Sequence, residues 1–445
     1  MKLNLRPRTL PLSAARLLCV ALIALALAGA RPSRDASAQG LGTFDRESAQ
    51  AMLDAVKDDL RKNYYDAGLR GIDLDARFKE AQEKLKQATT RDQLMIAIAQ
   101  VLLDLNDSHT FFLPPFRAAR VWYGWQMQMV GDACLVTNVN PNHDAAAKGL
   151  KPGDMVLSVD GYRPTRENLW KMYYRYYVLM PARSVRLVVQ SPGETQPRQV
   201  EIMSKVEKTA EVAQYFTNIW QYNSELKFER DRFHELGEAL IWRMPSFNDS
   251  PEHVDEMMNK VSKFKTLILD LRGNGGGYHV TLERLVSHFF DREVKIADMK
   301  LRKETKQAVA KPRGDKAFKG QLIVLVDAES GSAAEIFARV VQLEKRGTVL
   351  GDRTAGAVMT GRSFDHETGV GRVLYFGTNI TVADLVMPDG KSLEHVGVQP
   401  DELALPKMED IASGRDPVLA RAAELAGAKL APEKAGALFP AEWRK

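Results

Sequence analysis

The chain is nearly without cysteine. Two occur in 445 residues, Cys19 and Cys134, so no disulfide framework holds the fold and burial must do so. Histidine is scarce too. There are eight, none in HExxH spacing, and no cysteine cluster accompanies them. This leaves no metal-binding motif and implies neither metal nor organic cofactor. No Gly-Lys-Ser/Thr run of the Walker type occurs, and no repeat of fixed period. Surplus charge is confined to one end. Residues 1–38 carry six of the 62 Lys and Arg and one of the 57 Asp and Glu, so the remainder is formally neutral. Nothing in it asks for nucleic acid or an anionic membrane surface.

What is present begins with Lys2, Arg6, Arg8 and Arg16, followed by the apolar run Leu17–Ala30. That run is short of the roughly 20 residues of a membrane span and suits a secretory signal. Small-residue cleavage sites end at Ala30 and Ala38, and the second is preferred. The expectation is a signal peptide over 1–38 and a periplasmic or secreted bacterial protein, with no stable membrane insertion after cleavage. An uncleaved anchor is the alternative. Cleavage would leave Cys134 as the one cysteine.

At 45% hydrophobic and 27% charged, the rest has material for two or three globular domains. Residues 44–106 carry apolar residues at helical spacing in three runs, the first starting near Ser48 and the third opening on a Thr90–Gln93 capping box. "WQMQMV", "ACLVTNV", "DMVLSVDG" and "SVRLVVQS" then read as short strands. Aromatics Tyr215, Phe216, Trp220 and Tyr222 mark a connection of no assigned structure. Beyond it strands and helices alternate, the pattern of an α/β domain: "EALIWRM", a helix starting at Pro251, "TLILDLRG", "HVTLERLVSHFF", "QLIVLVD" and "SAAEIFARVVQLEK". Asp298–Lys319 reads as a solvated loop or hairpin. The Ala-rich tail after Pro406 reads as one peripheral helix.

Three stretches carry chemistry. In "LILDLRGNGGGYHV" the dinucleotide fingerprint fails at Tyr278. The glycines fit a tight turn or an oxyanion hole. In "VDAESGSAAEIFARVVQ", Ser332-Ala-Ala-Glu335 fits a helix capping box, and Ser332 at a helix start also suits a nucleophile. Ser330 is a rival. A nucleophile needs a base, and the sequence offers His109 in "NDSHTFF" and the Glu394–His395 pair in "PDGKSLEHVGVQPD".

Together these stretches resemble a known family. "AAAKGLKPGDMVLSVDGYRP", Ala145–Pro164, is similar to the signature stretch of PDZ domains. "ALIWRMPSF", "LILDLRGNGGG", "GSAAEIFARVVQ", "VLGDRTAGA" and "LEHVGVQPD" resemble, in order, the core of the tail-specific, carboxyl-terminal-processing serine proteases. The resemblance runs from about Asp107 to Asp401. It implies a crotonase-like, ClpP-type α/β core, here 207–405, with an inserted β-rich PDZ domain, here 118–206, while the helical runs give an N-terminal helical domain over 44–117 and the Ala-rich end a tail over 406–445. It implies Ser332 as nucleophile, with oxyanion donors from Gly275, Gly276 and the N–H of Ala333. It implies that the edge Tyr123, Gly124, Trp125, Gln126 and Met127 binds an extended peptide segment, the partners being polypeptides with free C-termini.

One position departs from the family. Ala357 stands where most members carry the lysine of a Ser–Lys dyad, and alanine accepts no proton. The tricorn-like branch instead places a Ser-His pair before the PDZ domain and a distant glutamate after the nucleophile. By that resemblance Ser108, His109 and Glu394 complete the site, with Asp389, Glu367 and His395 as rivals for the acid. The expected function is an exported serine endopeptidase for loosely folded polypeptides. The alternatives are a catalytically inactive PDZ-bearing binding protein and an acyl-CoA enzyme of crotonase type.

Overall fold

The structure is a computed structural model that describes residues 41–115, 119–208 and 230–443. The segment expected to be a signal peptide and the aromatics of the connection lie outside these residues. Three helices come first, α1 (Thr43–Asn63), α2 (Leu74–Gln87) and α3 (Arg91–Leu103). Met52, Leu53, Val56 and Leu60 bury the helical stripe of α1. That helix starts at Thr43, and Ser48 is a buried residue within it. The Thr90–Gln93 box opens α3 as expected, with Gln93 N–H donating to Thr90 Oγ1 and Thr90 N–H to Gln93 Oε1. The chain then enters β1 (Phe111–Leu113).

Residues 119–208 form a β-rich module: β2 (Ala119–Trp122), β3 (Trp125–Val130), β4 (Ala133–Val139), α4 (Asp144–Ala147), β5 (Met155–Val159), α5 (Leu169–Tyr173), a π-helical turn Tyr174–Leu179, β6 (Ser184–Gln190), β7 (Arg198–Met203) and β8 (Lys205–Lys208). Its antiparallel sheet has the order β3-β4-β5-β6-β7, and β2 pairs with β8 where the chain enters and leaves. Burial alternates along β3, with Trp125, Met127 and Met129 inward, as a one-sided sheet requires.

The remaining elements are β9 (Arg232–Leu236), β10 (Ala239–Arg243), α6 (Pro251–Val261), β11 (Thr266–Asp270), α7 (His279–Ser287), β12 (Val294–Leu301), β13 (Thr305–Ala310), β14 (Gln321–Val326), α8 (Ala333–Leu343), β15 (Thr348–Gly351), β16 (Met359–Thr368), β17 (Leu374–Val386), β18 (Glu402–Leu403), α9 (Met408–Ala412), α10 (Pro417–Leu425) and α11 (Pro432–Ala437). A central sheet runs β18-β15-β14-β11-β10-β9, parallel except at β9. Its strands read as unbroken apolar runs because both faces are covered. Leu240, Leu267 and Val324 face a core with Val254, Leu282 and Ile336 of α6, α7 and α8. Ile241, Ile268 and Ile323 face Val418, Leu419 and Ala422 of α10. The tail is therefore three short helices rather than one peripheral helix, and α10 closes the second face of the sheet. Its alanines read as a weak apolar face, yet small side chains let the helix lie close to the strands.

A second sheet has the order β1-β17-β12-β13, with β16 also on β17. The basic segment after Asp298 is its β12–β13 hairpin. Pairing of Phe111 with Asn379 brings the residues just before β1 onto the core. The turns that leave β11 and β14 lie at the carboxyl ends of neighbouring parallel strands, where α/β sheets hold their sites.

Candidate active site

Ser332 occupies the sharp turn from β14 into α8, with φ 52° and ψ −116°. A non-glycine residue in that region is strained, and such strain collects at functional turns. Two acceptors hold its N–H: Ala357 O at 3.1 Å and Glu335 Oε2 at 3.0 Å. Glu335 thus makes its half of the capping box by accepting from the Ser332 N–H. Ser330 differs. It is buried, and its Oγ donates to Leu271 O at 2.9 Å.

The glycine turn that leaves β11 lies against Ser332. At Gly276, φ is +96°, and a Cβ there would sit 2.6 Å from Ser332 Cβ and 2.9 Å from Ala333 N. Only glycine fits that approach. Its N–H, however, donates to Asn274 Oδ1 at 2.9 Å, so Gly276 is already engaged among the three expected oxyanion donors. The N–H groups of Gly275 and of Ala333, the first residue of α8, make no hydrogen bond among the described residues.

His109 sits at the end of a buried relay. Glu394 Oε1 accepts from Ser108 N–H at 2.8 Å and Oε2 from Ser108 Oγ at 2.9 Å. Ser108 Oγ lies 2.7 Å from His109 Nδ1. Burial pushes the His109 imidazole below its usual pKa, against the opposing pull of the Glu394 and Asp107 carboxylates. Asn379 Nδ2 holds the His109 carbonyl at 2.5 Å. Two of the rivals for the acid lie elsewhere, while His395 sits beside the relay with its Nε2 3.6 Å from Glu394 Oε1. Asp389 pairs with Arg339, Glu367 is on β16, and His395 Nε2 meets Asn106 O at 2.7 Å.

Among the described residues no hydrogen bond joins His109 to Ser332. The peptide between Ala357 and Val358 ties their surroundings instead. Ala357 O accepts from Ser332 N–H, and Val358 N–H donates to Glu394 Oε2 at 2.9 Å. Glu335 secures the same segment. It accepts from Thr354 Oγ1 at 2.5 Å, Gly356 N–H at 2.7 Å and Ala357 N–H at 2.9 Å, and burial pushes its pKa up to about 7. Sequence reading missed a second imidazole here. His279, the first residue of α7, lies 3.3 Å from Thr360 Oγ1 by its Nε2, and its pKa is lowered by burial and then by the charge of His109. A lone histidine after a glycine run carries no local signal.

The expected peptide edge is β3. Its side chains Tyr123, Trp125 and Met127 are buried within the module, Gln126 is half-buried, and a Cβ at Gly124 would overlap His143. The module rests on the loops that carry the site. Gln128 Nε2 donates to Asp327 Oδ2 at 2.6 Å. Arg166 pairs with Asp352 at 2.6 Å and donates to Arg353 O at 2.9 Å.

One trio among the described residues, Asp231, Asp249 and His253, brings possible metal ligands together. It is already an ion-pair arrangement. His253 Nε2 lies 2.6 Å from Asp231 Oδ2, which raises the imidazole pKa, and Trp242 Nε1 donates to Asp231 Oδ1.

Residues 239–404 match the family model described as peptidase family S41. Over 332 residues the chain is 26% identical to a carboxyl-terminal-processing protease of Picosynechococcus, covering 71% of this chain and 73% of that protein. Over 389 residues it is 25% identical to a putative tricorn protease homolog of Streptomyces coelicolor, covering 82% of this chain but only 31% of that protein. The crystal structure of mature CPAF superposes with a TM-score of 0.63 at 15% identity, over 83% of this chain and 95% of that one, which shows a shared fold. With the glycine turn, the strained serine and this match in one stretch, residues 239–404 are a peptidase S41 domain and the chain is a serine-type peptidase.

Proposed function

We propose that the chain is an exported endopeptidase of the Ser–His kind, with Ser332 as nucleophile and His109 as general base. The observation that carries this reading is the buried relay from Glu394 through Ser108 to His109 Nδ1, beside an alanine where an amine base would stand. Burial keeps His109 neutral near pH 7, as a base must be. His109 takes the proton of Ser332 Oγ as that oxygen adds to the scissile carbonyl. The N–H groups of Gly275 and Ala333 receive the oxyanion. The imidazolium returns its proton to the leaving amine, and water then hydrolyses the acyl-enzyme. Ser108 and Glu394 orient the ring and offset its charge. Closing the Ser332–His109 distance is the step that substrate binding completes.

The module over 119–208 acts as a PDZ domain that takes a C-terminal or extended segment of a loosely folded polypeptide on the β3 edge. The N-terminal 38 residues direct export. The test is labelling with a fluorophosphonate probe of the mature protein and of Ser332→Ala and His109→Ala. Labelling of wild type and its loss in both folded variants is the expected result. Labelling that survives in His109→Ala rules out His109 as the base. A silent wild type that still binds C-terminal peptides leaves the Ser–His reading without support.

A further inference from the structure

The edge strand β3 is not vacant. It ends its sheet, so one side of its backbone faces away from β4. On that side the Met127 N–H donates to Tyr173 Oη at 3.2 Å, and the same hydroxyl donates to Met127 O at 2.6 Å. One phenol supplies both the acceptor and the donor that a peptide unit of an added strand would supply. Tyr173 is half-buried, and its ring lies 6.0 Å from that of Tyr177, which meets Tyr123 edge-on at 5.3 Å. The backbone that carries it is unusual. Tyr173 ends α5 where the chain turns π-helical, and Met180 N–H reaches back five residues to Arg175 O at 2.7 Å. Such turns are rare and concentrate at functional sites. The next residue, Tyr174, is buried and donates its hydroxyl to Phe112 O on β1, the strand that follows His109.

We infer that Tyr173 is a built-in competitor for the β3 edge: an incoming polypeptide segment must displace its hydroxyl from Met127 before it can pair there. This inference rests on the peptide-capture reading of the module. The affinity measured for a segment is then its intrinsic affinity reduced by the fraction of molecules in which Tyr173 has swung away. Because Tyr174 braces β1, displacement acts on the neighbour of the residue that supports the His109 strand.

The experiment uses the full mature chain as Ser332→Ala, so that bound peptide persists, with and without Tyr173→Phe. Two readouts are taken. Amide hydrogen exchange at Met127 in the free chain reports the plug itself. Anisotropy of fluorescein-labelled ten-residue peptides with apolar C-terminal residues and free carboxylates reports competition. Tyr173→Phe is expected to speed Met127 exchange and tighten peptide binding about tenfold, the scale set by two lost hydrogen bonds. Unchanged exchange in a folded variant overturns the plug. Faster exchange with unchanged or weaker peptide binding overturns the competition while the capture reading survives. Faster exchange with no binding by either protein overturns the capture reading, and Tyr173 is then a structural tie.

Discussion

Two buried glutamates frame the site, and they are used differently. Glu335 accepts from three backbone N–H groups and one threonine hydroxyl, so it fixes main chain around Ser332. Glu394 accepts from two backbone N–H groups and from Ser108 Oγ, and through that hydroxyl it reaches an imidazole. They meet at adjacent residues, since Ala357 N–H goes to one and Val358 N–H to the other. One carboxylate shapes a turn and the other orients a ring. A site divided this way can hold both halves rigid while leaving their separation to be closed by substrate.

Breaking the ring side at its end gives the largest effect. His109→Ala is expected to lower kcat by about 10³-fold, within the range of general-base catalysis, as measured by peptide turnover in the folded variant. On the other side, Glu335→Gln puts an amide where two N–H donors converge. A loss of roughly 10²-fold in kcat with little change in KM is expected, because the turn that sets Ser332 and the N–H of Ala333 loosens. Ser108→Ala removes the relay but leaves His109 in place, and about a tenfold loss is expected. The smallest effect is a displacement in pH. The kcat/KM profile should fall on the acid side with a midpoint below 6.5, since burial lowers the His109 pKa and the protonated ring accepts nothing. An acid limb above pH 7 would mean that a different base operates.

Much of this was legible in sequence, for reasons specific to each residue. Ser332, Glu335 and the glycine turn announce themselves because turns and caps are local. The strands β11 and β14 announce themselves by length and apolarity. Glu394 could be singled out only by resemblance, since it meets Ser108 across 286 residues of chain. The polar run of β16 gave no period to read, yet its hairpin with β17 places Gly361 against His109, where a Cβ would lie 3.3 Å from the histidine's own. Tyr173 and His279 were invisible because their meaning lies in what they touch. The engagement of the Gly276 N–H by Asn274 is likewise a matter of three-dimensional direction, which spacing does not encode.

The C-terminal helices have one further consequence. Arg272, just before the glycine turn, bonds both Asp270 beneath it and Asp416 at the start of α10. The same helix covers Ile241, Ile268 and Ile323. Helix α10 is therefore part of the wall behind the glycine turn. A molecule that lost that helix would uncover an aliphatic surface and strip Arg272, next to the glycine turn, of one of its two carboxylate partners. The stability of the glycine turn is thus tied to a helix that lies outside the alternating strand-and-helix segment that carries Ser332.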